Sequence, residues 1–202
     1  MVAQAKNIFV NCAFDPSFQP IFDAIVFAII RCGFTPRCAL EADDASENRF
    51  AKIQRIVEEC RYGIHDISRT ESSGTPPLPR FNMPLELGLF IGAKRYGDAT
   101  QNRKRLLILD TERYRFQRFI SDIAGQDIHD HGNDPAAAIG IVTDWLRATS
   151  RRISLPGGTR VATEFAEFRG QLPRILAARD LHPDDVKFID FVSIAGAYVD
   201  TL

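Results

Sequence analysis

No glycine-rich turn follows the first apolar run of this sequence, which removes the usual cradle for a dinucleotide in hydride transfer. Ile8-Phe-Val10 runs instead into Asn11-Cys-Ala-Phe-Asp-Pro16. A Gly-x-Ser-x-Gly elbow and a Walker loop are also missing, which argues against serine hydrolysis and ATP-driven chemistry. Neither sign of charge is in excess. With 25 basic against 26 acidic residues, no global field draws the chain to nucleic acid or to a membrane surface. Long hydrophobic runs are lacking too; the longest, Ala24 to Ile30, is too short to cross a bilayer. Cysteines are few (Cys12, Cys32, Cys38, Cys60), spaced by 20, 6 and 22 with no CxxC pair. They read as reduced core thiols rather than metal ligands. The opening Met-Val-Ala-Gln-Ala-Lys has no apolar signal core, so a cytoplasmic protein is expected.

What is present is an alternation. The 202 residues, 45% hydrophobic, suit one α/β unit with a small helical appendage. Ile8 to Val10 reads as a buried strand and Phe18 to Cys32 as a helix stopped by Gly33. Thr35 to Leu40 is a second strand, followed by the acidic loop Glu41-Ala-Asp-Asp44. Asn48 to Cys60 is a second helix, with Phe50, Ile53, Ile56 and Val57 on one face, and Tyr62 to Ile67 a third strand. The Ser68 to Pro79 stretch is too rich in Ser, Gly and Pro for regular structure. A further helix opens near Asn82. Arg105 to Asp110 is a continuous apolar run ending in an acid, as buried parallel strands do. A short helix, Phe116 to Ala124, a short strand, Gln126 to His129, and a helix from Asp134-Pro135 to about Thr149 complete the pattern. It predicts a five-stranded parallel sheet with helices on both faces, flavodoxin-like, over residues 1–150. After a basic linker, Arg151 to Gly158, the segments Thr159 to Asp180 and Asp184 to about Tyr198 read as helices. Residues 151–202 are thus expected as a helical extension packed on the core.

The stretch Arg80-Phe-Asn-Met-Pro-Leu-Glu-Leu-Gly-Leu-Phe-Ile-Gly-Ala93 places one carboxylate, Glu86, in the first turn of an otherwise apolar helix. Asn82 or Met83 is the expected cap, and Pro84 suits a helix start. Gly88 and Gly92, one turn apart, would let the helix lie close on the sheet. A first-turn acid also complements the helix dipole, which by itself would account for Glu86. Ligands of open parallel sheets bind outside the carboxyl ends of the strands. The residues expected there are Asn11, Phe14 and Asp15 after the first strand, and Asp66 and Ser68 after the third. Asp110 follows the fourth, with Arg80, Asn82 and Glu86 on the same rim. Such a cleft could hold a nucleoside, its acid stabilising an oxocarbenium-like centre. Glu86 is expected to face it, near Asp66 and the Asn11–Asp15 loop, with a raised pKa.

Other candidates have plain readings beside functional ones. Arg37 could reach a ligand phosphate or pair with the acidic loop. His129-Asp-His131 reads as a solvated turn rather than a metal site, and His65 as a hydrogen-bonded core histidine. Arg113, Arg115 and Arg118 read as snorkelling arginines at a helix start. Phe165, Phe168, Leu172 and Ile175 form a helical stripe of core or contact residues interrupted by Pro173.

The order of elements, with Asn82-x-x-x-Glu86-x-Gly88-x-x-x-Gly92, resembles the TIR-like and nucleoside 2-deoxyribosyltransferase-like superfamily. The opening Ile8-Phe-Val-Asn-Cys-Ala-Phe-Asp15 is similar to the first strand and loop of TIR-type domains, and the likeness covers roughly residues 7–148. It implies that Glu86 matches the glutamate assisting N-glycosidic cleavage in those bacterial signalling and defence proteins, with NAD as substrate and no separate cofactor or metal. A nucleotide or nucleoside partner and a homo-oligomer follow from the resemblance; membrane and nucleic-acid partners do not. Two alternatives accompany it. One is a nucleoside 2-deoxyribosyltransferase, for which the loop before Glu86 lacks the acidic approach. The other is a non-catalytic nucleotide-sensing or self-assembling module.

Overall fold

Apolar strands separated by amphipathic helices form the sheet that the alternation predicts. The computed structural model describes residues 3–41, 46–70, 80–150 and 154–202. Its strands are β1 (Asn7–Asn11), β2 (Thr35–Arg37), β3 (Tyr62–Asp66), β4 (Arg105–Asp110) and β5 (Ile128–Asp130). Its helices are α1 (Gln19–Arg31), α2 (Arg49–Glu59), α3 (Asn82–Tyr96), α4 (Pro135–Ser150), α5 (Gly158–Ala178) and α6 (Phe188–Val199). All neighbouring strands pair in parallel, in the order β2-β1-β3-β4-β5. The chain therefore leaves β1 in one direction and returns on its other side, which puts the topological switch point of the sheet between the carboxyl ends of β1 and β3.

Alternate side chains of β1 feed two layers. Ile8 and Val10 join α1, α4, α5 and α6 in one apolar cluster, while Phe9 packs with Ile53, Ile56 and Val57 of α2 and Phe90 of α3. Helix α1 is buried from Ile21 to Ile29, because it is covered by the sheet on one side and by the last helices on the other. Residues 158–199 thus share the core of the sheet. Arg31 with Glu164 and Arg169 with Asp23, at 2.7 and 2.8 Å, tie α5 to α1. The four cysteines are buried and free, and burial pushes the Cys38 and Cys60 thiols up to about 12. Among the described residues no helix is long and apolar enough to cross a membrane.

Three local expectations are corrected. The Phe116–Ala124 helix is replaced by two 3₁₀ turns, Arg115–Arg118 and Ser121–Ile123. The left-handed Tyr114 (φ 63°) and the non-helical Ile120 (φ −139°, ψ 66°) bracket the first turn, and Arg115 is drawn into the interior by Asp110. Pro173 does not interrupt α5, since Pro173 and Arg169 lie on the exposed side, where the carbonyl freed by the proline is solvated. Finally, Gly88 and Gly92 of α3 have open space where a Cβ would stand. The close approach is instead at Gly63 of β3, where a Cβ would meet Phe90 Cζ at 2.8 Å and His65 Nε2 at 2.7 Å. Phe90 stacks on Phe9 at 6.5 Å and meets His65 edge-on at 5.0 Å.

Candidate functional site

Helices α2 and α3 both begin at the carboxyl edge of the sheet, and the chemistry gathers between their first turns. Asn48 caps α2, its side chain accepting from the N–H groups of Phe50 and Ala51. Helix α3 starts at Asn82 after Phe81, without a side-chain cap, so neither Asn82 nor Met83 is the cap. Glu86 accordingly sits one residue past the first turn, where it caps nothing. It lines a cleft of about 290 Å³ with Asn82 and Leu85 of its own helix and with Asn48, Arg49, Phe50 and Ile53 opposite. Among the described residues its carboxylate makes no hydrogen bond and no ion pair. Burial raises its pKa from 4.5 to about 7, the charge of Arg49 opposing only in part.

Among the described residues the cleft is walled by the starts of α2 and α3 alone, so neither Asp66 nor the Asn11–Asp15 loop after β1 lines it with Glu86 as expected. That loop is held by a chain of bonds at the rim. Ser17 Oγ donates to Asp15 at 2.5 Å and accepts from Arg69 at 3.0 Å, while Arg80 donates to Asp15 at 3.0 Å. Partial burial pushes the Asp15 carboxyl up, but the bonds from Ser17 and Arg80 hold it below its ordinary value. Phe14 does not line the Glu86 cleft; it packs edge-on against Phe22 at 5.4 Å and joins the two core layers.

The remaining expected site residues are committed elsewhere. Asn11 is buried, its amide bonded to His65 Nδ1 at 3.0 Å and to the Met83 carbonyl at 2.8 Å, which fixes α3 against β1. Because His65 Nδ1 accepts, Nε2 carries the proton, and burial holds the ring neutral with a pKa of about 3. His65 is the hydrogen-bonded core histidine that the strand pattern indicated. Asp66 is 1% exposed and receives the Ser68 N–H at 2.9 Å and His131 Nε2 at 2.9 Å. Ser68 Oγ lies 3.1 Å from the same His131 nitrogen. Serine, histidine and aspartate meet here, but both contacts fall on one ring nitrogen, the other accepting the Asn133 N–H at 3.0 Å. A relay needs the two nitrogens on different partners, so the cluster fixes loops rather than activating a nucleophile. His131, expected in a solvated turn, is 1% exposed, because the turn of Gly132 and Asn133 (φ 56° and 59°) swings the ring inward.

Arg37 spends its guanidinium on Glu41 at 2.6 Å and Glu59 at 2.9 Å, the structural alternative of its two readings. Asp110 is fully buried and paired with Arg115 at 2.7 Å, and it also accepts the Thr111 N–H. Burial raises the Asp110 pKa, against the pull of Arg115. Arg115 in turn holds the Ile67 carbonyl at 2.7 Å, so the pair clamps the ends of β3 and β4 rather than facing a ligand. Arg115 is accordingly buried and does not snorkel.

Sequence reasoning did not single out the opposite wall. Asn48 and Phe50 were legible as helix residues, but only the packing of α2 beside α3 brings them to Glu86. Nor did it single out Lys104, whose ammonium is buried beneath the end of α2, bonded to the Val57 and Cys60 carbonyls and 4.6 Å from the Phe90 ring centre. Burial lowers its pKa to about 8. Compared with known proteins, the chain matches no family model, no curated protein and no solved structure.

Proposed function

We propose that the protein is a nucleotide N-glycosidase, with NAD as its substrate and nicotinamide as the base released. One observation carries the reading: Glu86, a half-buried carboxylate on a cleft wall, has no hydrogen bond or ion pair among the described residues. Uncompensated burial of an acid costs stability, and sites that do chemistry are where such groups concentrate. The likeness of Asn82-x-x-x-Glu86-x-Gly88 to the TIR-like superfamily points to the same residue.

In the step, the bond from C1′ to the nicotinamide nitrogen breaks and its electron pair leaves with the base, which becomes neutral. Positive charge spreads over C1′ and the ring oxygen, opposite the Glu86 carboxylate. Water then adds its oxygen to C1′ and gives up a proton to that carboxylate, which releases it to solvent. Nothing is oxidised or reduced. Asn82, one turn before Glu86 on the same cleft wall, supplies an amide for a ribose hydroxyl.

Nicotinamide release by wild type and by Glu86→Gln tests this. The variant is expected to lose about 100-fold or more, within the range for positioned acid-base groups. The wild-type rate should rise with pH through about 7, as the carboxyl ionises. Equal rates in the two proteins overturn the proposal, and base exchange between a deoxynucleoside and a free base would replace hydrolysis by transfer.

A further inference from the structure

Resting on that reading of Glu86, we infer that the cleft takes a single nucleoside 5′-monophosphate unit, with Arg49 on the phosphate and Phe50 against the base. A volume of about 290 Å³ is at the lower edge of the ~300–1,000 Å³ of small-molecule sites. One nucleoside fills it, and the second nucleoside of a dinucleotide lies outside.

Arg49 is the uncommitted cation of this wall. It is exposed at the cleft and acts on Glu86 through its charge, yet it makes no hydrogen bond or ion pair among the described residues. Neighbouring arginines are occupied: Arg37 by Glu41 and Glu59, Arg55 by Glu47, Arg80 by Asp15. A planar guanidinium with its donors free matches a phosphate bidentately. Asn48 already satisfies the first N–H groups of α2, so the guanidinium and not the helix backbone makes the contact.

Phe50 lies next to Arg49 and is 44% exposed, although its spacing with Ile53, Ile56 and Val57 places it on the buried face. Core packing does not account for that ring, whereas a base stacked on it does. Adjacent helical residues project about 100° apart, so Arg49 and Phe50 meet different parts of a nucleotide whose ribose Glu86 holds.

Calorimetric titration of wild type, Arg49→Gln and Phe50→Ala with nicotinamide mononucleotide, its phosphate-free nucleoside and NAD decides the matter. The mononucleotide should bind within about 3-fold of NAD and at least ~10-fold more tightly than the nucleoside. Arg49→Gln should abolish that preference and leave the nucleoside affinity unchanged; Phe50→Ala should weaken all three ligands alike. Equal affinity for nucleoside and mononucleotide overturns the inference. So does a preference that survives Arg49→Gln, NAD binding far above the mononucleotide, or no binding of any of the three. Base release separates the two readings. Binding of the expected pattern without release by any ligand removes the glycosidase and keeps the monophosphate site. Release from NAD that is indifferent to Arg49→Gln does the reverse.

Discussion

Replacing Glu86 by glutamine should make the protein more stable above neutral pH. The side chain keeps its size, so the effect isolates the charge. In the folded protein the carboxyl titrates at about 7, against an ordinary 4.5. Between those values the native state holds a proton that the unfolded chain has released, so wild-type stability falls as pH rises through this window. The shift corresponds to about 3 kcal/mol at ~1.36 kcal/mol per pH unit, and solvent access through the cleft reduces it to about 1–2 kcal/mol. Urea unfolding followed by circular dichroism at pH 8.5 should place the variant's midpoint about 0.5–1 M above wild type, given an m-value of ~2 kcal/mol/M. Near pH 4.5 the two midpoints should nearly coincide. A variant no more stable than wild type at pH 8.5, or a gap that ignores pH, refutes the reasoning, because Glu86 would then be neutralised by a partner. The test is independent of substrate, and a stabilised but inactive variant is what a functional acid held at a cost predicts.

His131→Ala should destabilise by about 3 kcal/mol, since it leaves Asp66 buried without one of its donors and opens a void; a loss below about 1 kcal/mol in urea unfolding contradicts the buried cluster. Wild-type stability should rise between pH 8 and 10.5, where unfolded lysine keeps its proton and Lys104, lowered to about 8, has lost it. Lys104→Met removes that contribution, so the difference between the two Tm profiles should track this window, and parallel profiles would count against the buried ammonium. Truncation after residue 150 should leave α1 uncovered, where Phe27 now lies 5.2 Å from Phe168 and 5.3 Å from Phe165. Aggregated product is expected on gel filtration, and a soluble, cooperatively unfolding fragment would show that α5 and α6 are dispensable.

The element order and the parallel sheet were legible because burial on both faces makes β1, β3 and β4 short apolar runs, and the residues between them carry helical spacing. His65 was legible for the same reason, as a polar residue on a strand with no exposed face. Glu86 stood out as a charge within an apolar helix, and its lack of a partner among the described residues agrees with that signal. Local rules failed where a distant group competes. The segment after Tyr114 has helical spacing, yet Asp110 takes Arg115 into the interior and two 3₁₀ turns result. His131 sits in a polar stretch, but a left-handed turn delivers it to Asp66 across the sheet edge. Asn11, Asp66, Asp110 and Arg37 occupy the strand ends where ligands bind, and only tertiary structure could show that other side chains already hold them. The opposite wall of the cleft, Arg49 and Phe50, comes from a helix more than thirty residues earlier in the chain, and no spacing within either segment encodes their meeting with Glu86. Periodicity reports which face of an element is buried. Which elements then face each other is decided by the strand order and the packing of α2 beside α3, which no single segment contains.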